Sequence, residues 1–431
     1  MNTFKKQIIA SAVALGFAGA AQAATSVTLY GIVDVGYGNE STTTSTGAGQ
    51  TWANTLGVGV PTAWAPAFHP AVTHGTGASL TPARPDITVP ASISPSLGAP
   101  SSTTTNTHVL QNDGYHDGSR LGVKGQEDLG NGLSAIFKAE MRFGADTGTL
   151  SGQLAESYVG LKGSFGEVTV GRRENITSVM FGYDSAAKEL NSLVGANWNN
   201  ALSYRGAFGG LTVGADVTTG EANSAYSNSS NPGYKVIGGR DQQYAAGIEY
   251  NFGAGAVGVG YEHAAVGKNA YVLGLKYKVG PVEMFGRVSR ARQIVNNFDL
   301  TTLNPNLDKT TTATSWAIGL NYTITPNDVL GLSYSQLNAN TNSSVYASFI
   351  RATSPYAVTN VRDRTRALSM DYTHSLSKRT SVYLGMTFQR TRTRADSQFY
   401  NALHVTSGAW EVPSYTSSRS NSYNIGLKHS F

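Results

Sequence analysis

Residues 421–431 read NSYNIGLKHSF, in which apolar and polar side chains alternate. The apolar parity holds Tyr423, Ile425, Leu427 and Phe431, and the polar parity holds Ser422, Asn424, Lys428 and Ser430. Because successive side chains on a strand point to opposite faces, a period of two predicts a strand with one apolar and one wet face.

The same alternation recurs along the chain in segments of roughly ten residues, the length a transmembrane strand needs. We count sixteen such segments, near 25–37, 119–128, 133–144, 154–163, 166–173, 200–207, 210–219, 242–252, 255–264, 270–279, 281–292, 312–324, 328–339, 364–375, 379–393 and 421–431. Their connections alternate between tight Gly/Pro/Asn turns, such as DLGNG at 128–132, and long polar loops. This pattern predicts an all-β fold, a 16-stranded antiparallel transmembrane β-barrel with short periplasmic turns and long extracellular loops. In a bilayer only a closed sheet satisfies every backbone hydrogen-bonding group.

Aromatic residues support the barrel prediction. Strands that run inward should end in an aromatic girdle at the periplasmic interface. Aromatic side chains on the lipid-facing parity near such ends are Tyr250, Phe252, Tyr277, Tyr322, Tyr372 and Phe431.

The N-terminus and the composition narrow the class of protein. Lys5 and Lys6 precede an apolar run, Ile8 to Ala21, and a small-residue cleavage signal ends at Ala23, so residues 1–23 are predicted to be an export signal peptide. The remainder, 24–431, is predicted to be a single barrel domain. The chain has no cysteine, which excludes a disulfide scaffold, a zinc finger and a thiol enzyme. No Lys/Arg run accompanies the net charge of +5, so nucleic acid is not an expected partner.

Four stretches of the chain carry a resemblance to a known family: SVTLYGIVDVG (26–36), SRLGVKGQEDLGNGLSAIFKAEMRF (119–143), ESYVGLKGSFGEVTVGR (156–172) and YNIGLKHSF (423–431). They resemble the general porins of Gram-negative outer membranes, in the branch typical of β-proteobacteria. The resemblance implies a homotrimer in the outer membrane, with a third long loop, about 174–199, folded into each pore. It also implies that the terminal Phe431 is the signal read by the outer-membrane assembly machinery. The first loop, 38–118, is longer and richer in Ser, Thr and Pro than is usual in this family.

Sixteen strands leave a water-filled lumen, so small hydrophilic solutes and ions would cross by passive diffusion without chemistry. We hypothesise that a basic wall on the lumen parity, Arg120, Lys138 and Arg142 with Arg173 and Arg205 as further members, faces Asp184 and Glu189 of the third loop. Arg120 belongs to the family-like SRLGVKG motif. A charged constriction focuses its field across the pore, and a weak anion preference is expected. Each of these residues could equally be an ordinary solvated or ion-paired wall residue.

Two alternatives remain open: a solute-specific channel of the same fold, and a secreted β-rich adhesin. The G-x-G-x-x-G at 253–258 continues into another alternating strand rather than a helix, so no dinucleotide cofactor is expected. The histidines form no zinc motif and no nucleophile elbow occurs, so neither a metal site nor an enzyme is predicted. Arg390, Arg392 and Arg394 have lipid-facing parity beyond an apolar section. Lipopolysaccharide phosphates are a candidate partner for them, and a solvated face is the alternative.

Overall fold

A computed structural model describes most of the predicted strands. The described residues are 26–47, 101–111, 116–150, 152–180, 187, 193–195, 197–218, 242–264, 268–297, 306–346, 357–399 and 410–431. The predicted signal peptide, the greater part of the predicted first loop, Asp184 and Glu189 lie outside these residues.

Seventeen strands make up the described fold. They are β1 Ser26–Thr46, β2 Ser101–Gln111, β3 Arg120–Gly130, β4 Leu133–Arg142, β5 Glu156–Gly163, β6 Gly166–Glu174, β7 Asn197–Phe208, β8 Leu211–Thr218, β9 Tyr244–Phe252, β10 Gly255–Ala264, β11 Lys268–Val279, β12 Val282–Asn297, β13 Asn306–Thr325, β14 Asp328–Tyr346, β15 Ala357–Ser375, β16 Thr380–Phe399 and β17 Trp410–Ser430. One short helix, α1 Ile176–Met180, follows β6. Among the described residues no helix is both long enough and apolar enough to cross a bilayer.

The strands close into an antiparallel barrel with sixteen positions around its circumference. β1 pairs with β17 on one side over Ile32–Thr46. On its other side β1 pairs first with β3 over Ser26–Ile32 and then with β2 over Gly36–Thr46. β2 and β3 therefore share one position end to end, which reconciles seventeen strands with the predicted sixteen. At the seam the Gly31 and Phe431 backbones exchange two hydrogen bonds, of 3.2 and 3.1 Å.

The predicted lipid-facing parity is the outer surface of the barrel. The apolar side chains on this face are exposed, from Leu29 on β1 to Ile425 and Leu427 on β17. The six aromatic residues predicted for the girdle are all exposed, between 39% for Tyr372 and 54% for Tyr250. The opposite face carries small and polar side chains, with Ala256 and Ala270 fully buried against the inner structure. An apolar exterior around a polar interior is the arrangement that a bilayer selects.

Tight turns join the strands at one end of the barrel. In the DLGNG turn, Gly130, Asn131 and Gly132 all have positive φ, at 86°, 55° and 76°. Two glycines and an asparagine are the residues that adopt this region at least cost. The turn prediction at 128–132 is therefore explained by backbone chemistry as well as by pattern.

The strands are of unequal height, which the sequence did not predict. β5, β6, β8 and β9 have 8 or 9 residues, whereas β13 to β17 and β1 have 19 to 21. At about 3.3 Å per residue the longer strands measure roughly 65 Å along their own axes, so even when tilted by about 40° they extend well beyond a hydrocarbon core of about 30 Å. The predicted first loop is correspondingly shorter at both ends than 38–118, because Gly38–Thr46 pairs with Ser101–Val109.

Candidate pore constriction

A cluster of charged residues lines the inner face of β1 and β3 to β5. Lys138 contacts Glu156 and lies 3.3 Å from Oε2 of Glu140. The hydroxyl of Tyr30 donates to Glu140 Oε2 at 2.8 Å, and Arg120 Nη1 approaches Glu140 Oε1 at 3.9 Å. Glu140 is only 4% exposed, so its charge is neutralised by its two basic neighbours rather than by water. The first two predicted wall residues thus form a compensated network.

Arg173 extends this basic wall onto β6. Its Nη2 donates to Glu167 Oε1 at 2.6 Å and its Nη1 donates to Thr169 Oγ1 at 2.9 Å. The guanidinium also lies 4.8 Å from the ring centroid of Tyr158, a cation–π distance. These contacts fix the side chain against the wall.

Arg205 faces inward on β7 as predicted but is 9% exposed and has a structural role. Its Nη2 donates to both carboxylate oxygens of Asp216, at 2.9 and 3.1 Å, and to the carbonyl oxygen of Glu174 at 3.1 Å. Asp216 Oδ2 in turn accepts the backbone N–H of Ile176 at 2.7 Å, at the start of α1. Arg205 therefore positions the root of the third loop and is not in contact with the open lumen.

Glu262 on β10 is the second anchor of the third loop. It is 1% exposed, and Oε2 accepts hydrogen bonds from Asn175 Nδ2 at 3.0 Å, Thr177 Oγ1 at 2.7 Å and the Gly195 N–H at 2.9 Å. Lys268 Nζ lies 3.0 Å from Oε1 and supplies the opposite charge. One carboxylate thus joins both ends of the described loop to the barrel wall.

Apolar packing completes the attachment. Ile176 from α1 and Val194 from the returning end of the loop are buried with Trp198 at the start of β7. They pack against the inner face of the wall formed by Ala245, Ala270, Val272, Phe285 and Ala291. The predicted inward folding of 174–199 is therefore confirmed for its described residues, which lie inside the barrel against β8 to β12.

A second segment also folds inward, on the opposite side of the ring of strands. His116 Nε2 lies 2.8 Å from Asp371 Oδ2 on β15, and its ring stacks on Tyr383 of β16 at 4.2 Å between centroids. The Asp117 N–H donates to Asp34 Oδ2 on β1 at 2.8 Å. The Asp117 carboxylate contacts Lys428 Nζ and Arg120 Nη2, each at 3.0 Å. Residues 116–119, here called the inner segment, thus connect β1, β15, β16 and β17 across the inside of the seam.

Tyr383 is the centre of this attachment. It is 2% exposed and donates its hydroxyl to Asp34 Oδ1 at 2.7 Å. Its ring covers Gly36 and Gly426, where a Cβ would come within 2.8 and 2.2 Å of its atoms. Glycine is required at these inward positions because the aromatic ring occupies the space of a side chain.

The sequence placed the cations on the inner face but did not show which of them are ion-paired. Arg142 faces inward and is exposed, with no ion pair among the described residues, as a wall residue open to solutes should be. Asp184 and Glu189 lie outside the described residues. Asp216, Asp371 and Tyr383 were missed, although their lumen parity was a signal that could have placed each of them on the inner face. His116 was also missed; it precedes β3 and has no strand parity.

The apolar outer face, the polar inner face and the two inward-folded segments together define a transmembrane β-barrel of the channel-forming type. The chain belongs to the Gram-negative porin family, whose sequence profile matches residues 10–394. This membership confirms the resemblance noted from the sequence and the outer-membrane location. The relatives are porins, which are channels rather than enzymes.

Individual relatives agree with the family. An outer membrane porin protein of Bordetella pertussis is 30% identical over 209 residues, which cover 46% of this chain and 42% of that protein, so the match spans under half of the relative's length. Outer membrane porin protein 32 of Delftia acidovorans is 25% identical over 342 residues, covering 73% of this chain and 84% of that protein. An anion-selective porin from Comamonas acidovorans superposes with a TM-score of 0.52 at 18% identity, covering 94% of this chain and all of that one. At that identity the likeness shows the fold alone.

The inner segment should stay attached under acidic conditions. Burial by itself would raise the pKa of Asp117, but the hydrogen bond from Lys428 and the charges of Lys428 and Arg120 outweigh it and lower the pKa. A lowered pKa in the folded state means that the stabilisation is present above the ordinary value of about 3.9 and is lost only as the pH falls through the lowered one. Release of the inner segment should therefore cause no step in single-channel conductance between pH 7 and about 4. A conductance step centred above pH 5 that is absent from the Asp117→Asn variant would contradict this prediction.

Proposed function

We propose that the protein forms a water-filled channel through which small hydrophilic solutes and ions diffuse passively across the outer membrane, with a weak preference for anions. The observation that carries the anion preference is an asymmetry of exposure on the inner face. Acidic side chains that point inward are mostly buried in hydrogen bonds: Asp34, Glu140, Asp216, Glu262 and Asp371. Basic side chains on the inner face of β3 to β5 remain exposed: Lys124, Arg142 and Lys162.

Exposed charges act on permeating ions more strongly than charges that are neutralised within the wall. In a narrow passage with low-dielectric walls the net field of the accessible groups is focused on the solute. Asp128 and Glu283 are exposed inward-facing acids, but both lie beside the turns that end their hairpins, as does the basic Lys162. Away from the turns the accessible charge of the wall is therefore positive and is carried by Lys124 and Arg142, whereas Arg120, Lys138 and Arg173 of the basic wall are ion-paired.

The partners follow from the same proposal. The porin resemblance implies three kinds of partner. The protein would form a homotrimer, contact outer-membrane lipids and lipopolysaccharide, and present Phe431 to the assembly machinery. We include Asp184 and Glu189 as the acidic side of the constriction because the third loop that carries them begins and returns inside the barrel.

Planar-bilayer recording tests the proposal directly. We expect discrete conductance steps and, in a potassium chloride gradient, a reversal potential that favours chloride modestly. Liposomes containing the protein should swell in small sugars at rates that fall with sugar size. Liposomes that stay tight to sugars would refute the channel, and clear cation selectivity would refute the anion preference alone.

Replacing Arg142 with glutamine should weaken the anion preference without altering the fold. The guanidinium has no ion pair among the described residues, so its loss leaves no buried charge behind. One exposed charge is screened over about 8 Å at physiological salt, so we expect a fall of up to about twofold in the chloride-to-potassium permeability ratio. The outward-facing Arg290→Gln is the matched control and should leave the reversal potential unchanged; equal shifts in both variants would remove Arg142 from the wall.

A further inference from the structure

The longest strands, β1 and β13 to β17, form one side of the barrel, here called the tall wall. Seven arginines are grouped on its outer surface, outside the pore. We call them the arginine grid: Arg362, Arg364 and Arg366 on β15, Arg390, Arg392 and Arg394 on β16, and Arg419 on β17. All seven side chains are exposed. They share the parity of the lipid-facing residues on their strands, so they point away from the lumen.

The grid begins where the apolar band ends. On β16 the outward side chains Val382, Leu384 and Phe388 are exposed and apolar, and the next outward residue is Arg390. The pairing register shows that this border is continuous across neighbouring strands. Leu368 pairs with Tyr334 and Phe388, and the adjacent rung pairs Arg366 with Gln336 and Arg390. The first row of arginines therefore lies at the height where hydrocarbon gives way to headgroups.

Three rungs of the grid place arginines directly opposite one another. Arg366 pairs with Arg390, which pairs in turn with Arg419. Arg364 pairs with Arg392, and Arg362 pairs with Arg394. Neighbouring strands are about 4.8 Å apart, and like charges in directly opposed positions are destabilising. Such an arrangement favours an anion between the columns.

Amide groups orient the arginines of β15. Arg364 Nε donates to Asn338 Oδ1 at 3.1 Å and Arg366 Nε donates to Gln336 Oε1 at 3.0 Å. Arg362 Nε donates to Asn360 Oδ1 at 3.0 Å. Each bond uses the Nε, and the terminal Nη groups have no hydrogen bond within the described part of the chain. The forks are thus held in position while their outer donors remain available.

Within the described residues, only one arginine of the grid forms an ion pair with an acidic side chain. Arg394 pairs with Asp396 at 2.9 Å and lies 5.5 Å from the ring centroid of Tyr415. None of the other six arginines has an acidic partner among the described residues. A surface groove of about 860 Å³ runs along Arg362, Arg364, Arg390, Arg392 and Arg394.

We propose that the arginine grid is a binding site for a phosphorylated lipid headgroup of the outer leaflet. Guanidinium forks bind phosphate in bidentate fashion, and an anion between two arginine columns would relieve their repulsion. The acyl chains of the same lipid would lie along the apolar row below, which supports a lipid rather than a free anion as the occupant. The site rests on the proposed function in one respect: the barrel must span the outer membrane with its tall wall outward.

The test uses the folded protein in neutral detergent and a diphosphorylated glycolipid, the lipid anchor of lipopolysaccharide, as the probe. Arg364→Gln/Arg392→Gln removes the middle rung. Arg290→Gln/Arg292→Gln is the matched control, because it removes two exposed outward arginines from β12 that face threonines on β13. The readouts are a binding titration and the shift in unfolding temperature on adding lipid.

We expect the grid variant to bind the lipid at least about tenfold more weakly and to lose most of the lipid-induced rise in unfolding temperature. In detergent without lipid it should unfold at or above the wild-type temperature, because like-charge repulsion has been removed. The control variant should bind within about threefold of wild type.

If the two variants lose the same amount of affinity for the lipid, the binding comes from diffuse surface charge and the proposed site is wrong. Unchanged binding in the grid variant would also overturn it. If inorganic pyrophosphate displaces the lipid at equal concentration, the ligand of the site is a free phosphate compound and not a lipid. Both variants should conduct like wild type in planar bilayers, because the grid is outside the lumen. A wild-type protein that binds lipid but does not conduct would refute the proposed channel function and leave the site standing.

Discussion

Glu262→Ala should raise the single-channel conductance and its noise, because it removes the carboxylate that holds both ends of the third loop. Three donors from the loop, on Asn175, Thr177 and Gly195, lose their acceptor. Lys268 loses its buried counter-charge at the same time. Removing one partner of a buried ion pair destabilises a structure by about 3–5 kcal/mol. That loss falls on the attachment of both described ends of the loop, so we expect the loop to leave the wall and vary in position.

Two variants separate loop release from simple loss of charge. Glu283→Ala removes an exposed inward-facing acid from β12 that has no contact with the third loop in the described residues, and should leave the conductance steady. Glu262→Gln keeps the acceptor oxygen and should have an intermediate effect. A steady, wild-type conductance from Glu262→Ala would show that Arg205, Asp216 and the packing of Ile176 hold the loop without Glu262.

The membrane-spanning part of the barrel was predictable because the bilayer imposes an alternation that single residues reveal. Every predicted segment overlaps an observed strand, and the six aromatic residues predicted for the girdle are exposed on the outward face. Beyond the apolar band this signal disappears, because both faces of the strand are wet. β14 was predicted to end at 339, but it continues to Tyr346. The added residues include Asn340, Thr341, Asn342 and Ser343, which are all polar and show no apolar–polar alternation. The tall wall was therefore read as loop.

The constriction was predictable by residue type but not by contact. Parity alone places Arg120, Lys138, Arg142, Arg173 and Arg205 inside. Which cations are neutralised depends on register and on loops that return to the wall. His116 and Asp371 are 255 residues apart in sequence and meet only because the barrel closes. No local pattern contains that information, and so the inner segment could not be foreseen.

Asp34→Ala should detach the inner segment from the seam and increase both conductance and anion preference. Asp34 is fully buried and accepts the hydroxyl of Tyr383 and the N–H of Asp117. Each donor left unpaired in a buried position costs about 1–3 kcal/mol, so the attachment is lost more readily than the barrel itself. Once Asp117 moves away, the guanidinium of Arg120 loses its 3.0 Å partner and adds positive charge to the open lumen.

A steric variant tests the same attachment without changing any charge. A Cβ on Gly426 would lie 2.2 Å from Cζ of Tyr383, so Gly426→Val must displace the ring and with it the contacts to Asp34 and His116. Gly286→Val is the matched control, since the nearest atoms to a Cβ there are 4.0 Å away. We expect Gly426→Val to raise conductance and shift the reversal potential toward chloride, as Asp34→Ala does, while Gly286→Val changes neither. If Asp34→Ala alone alters selectivity, the effect belongs to the lost carboxylate, and the inner segment is not part of the constriction.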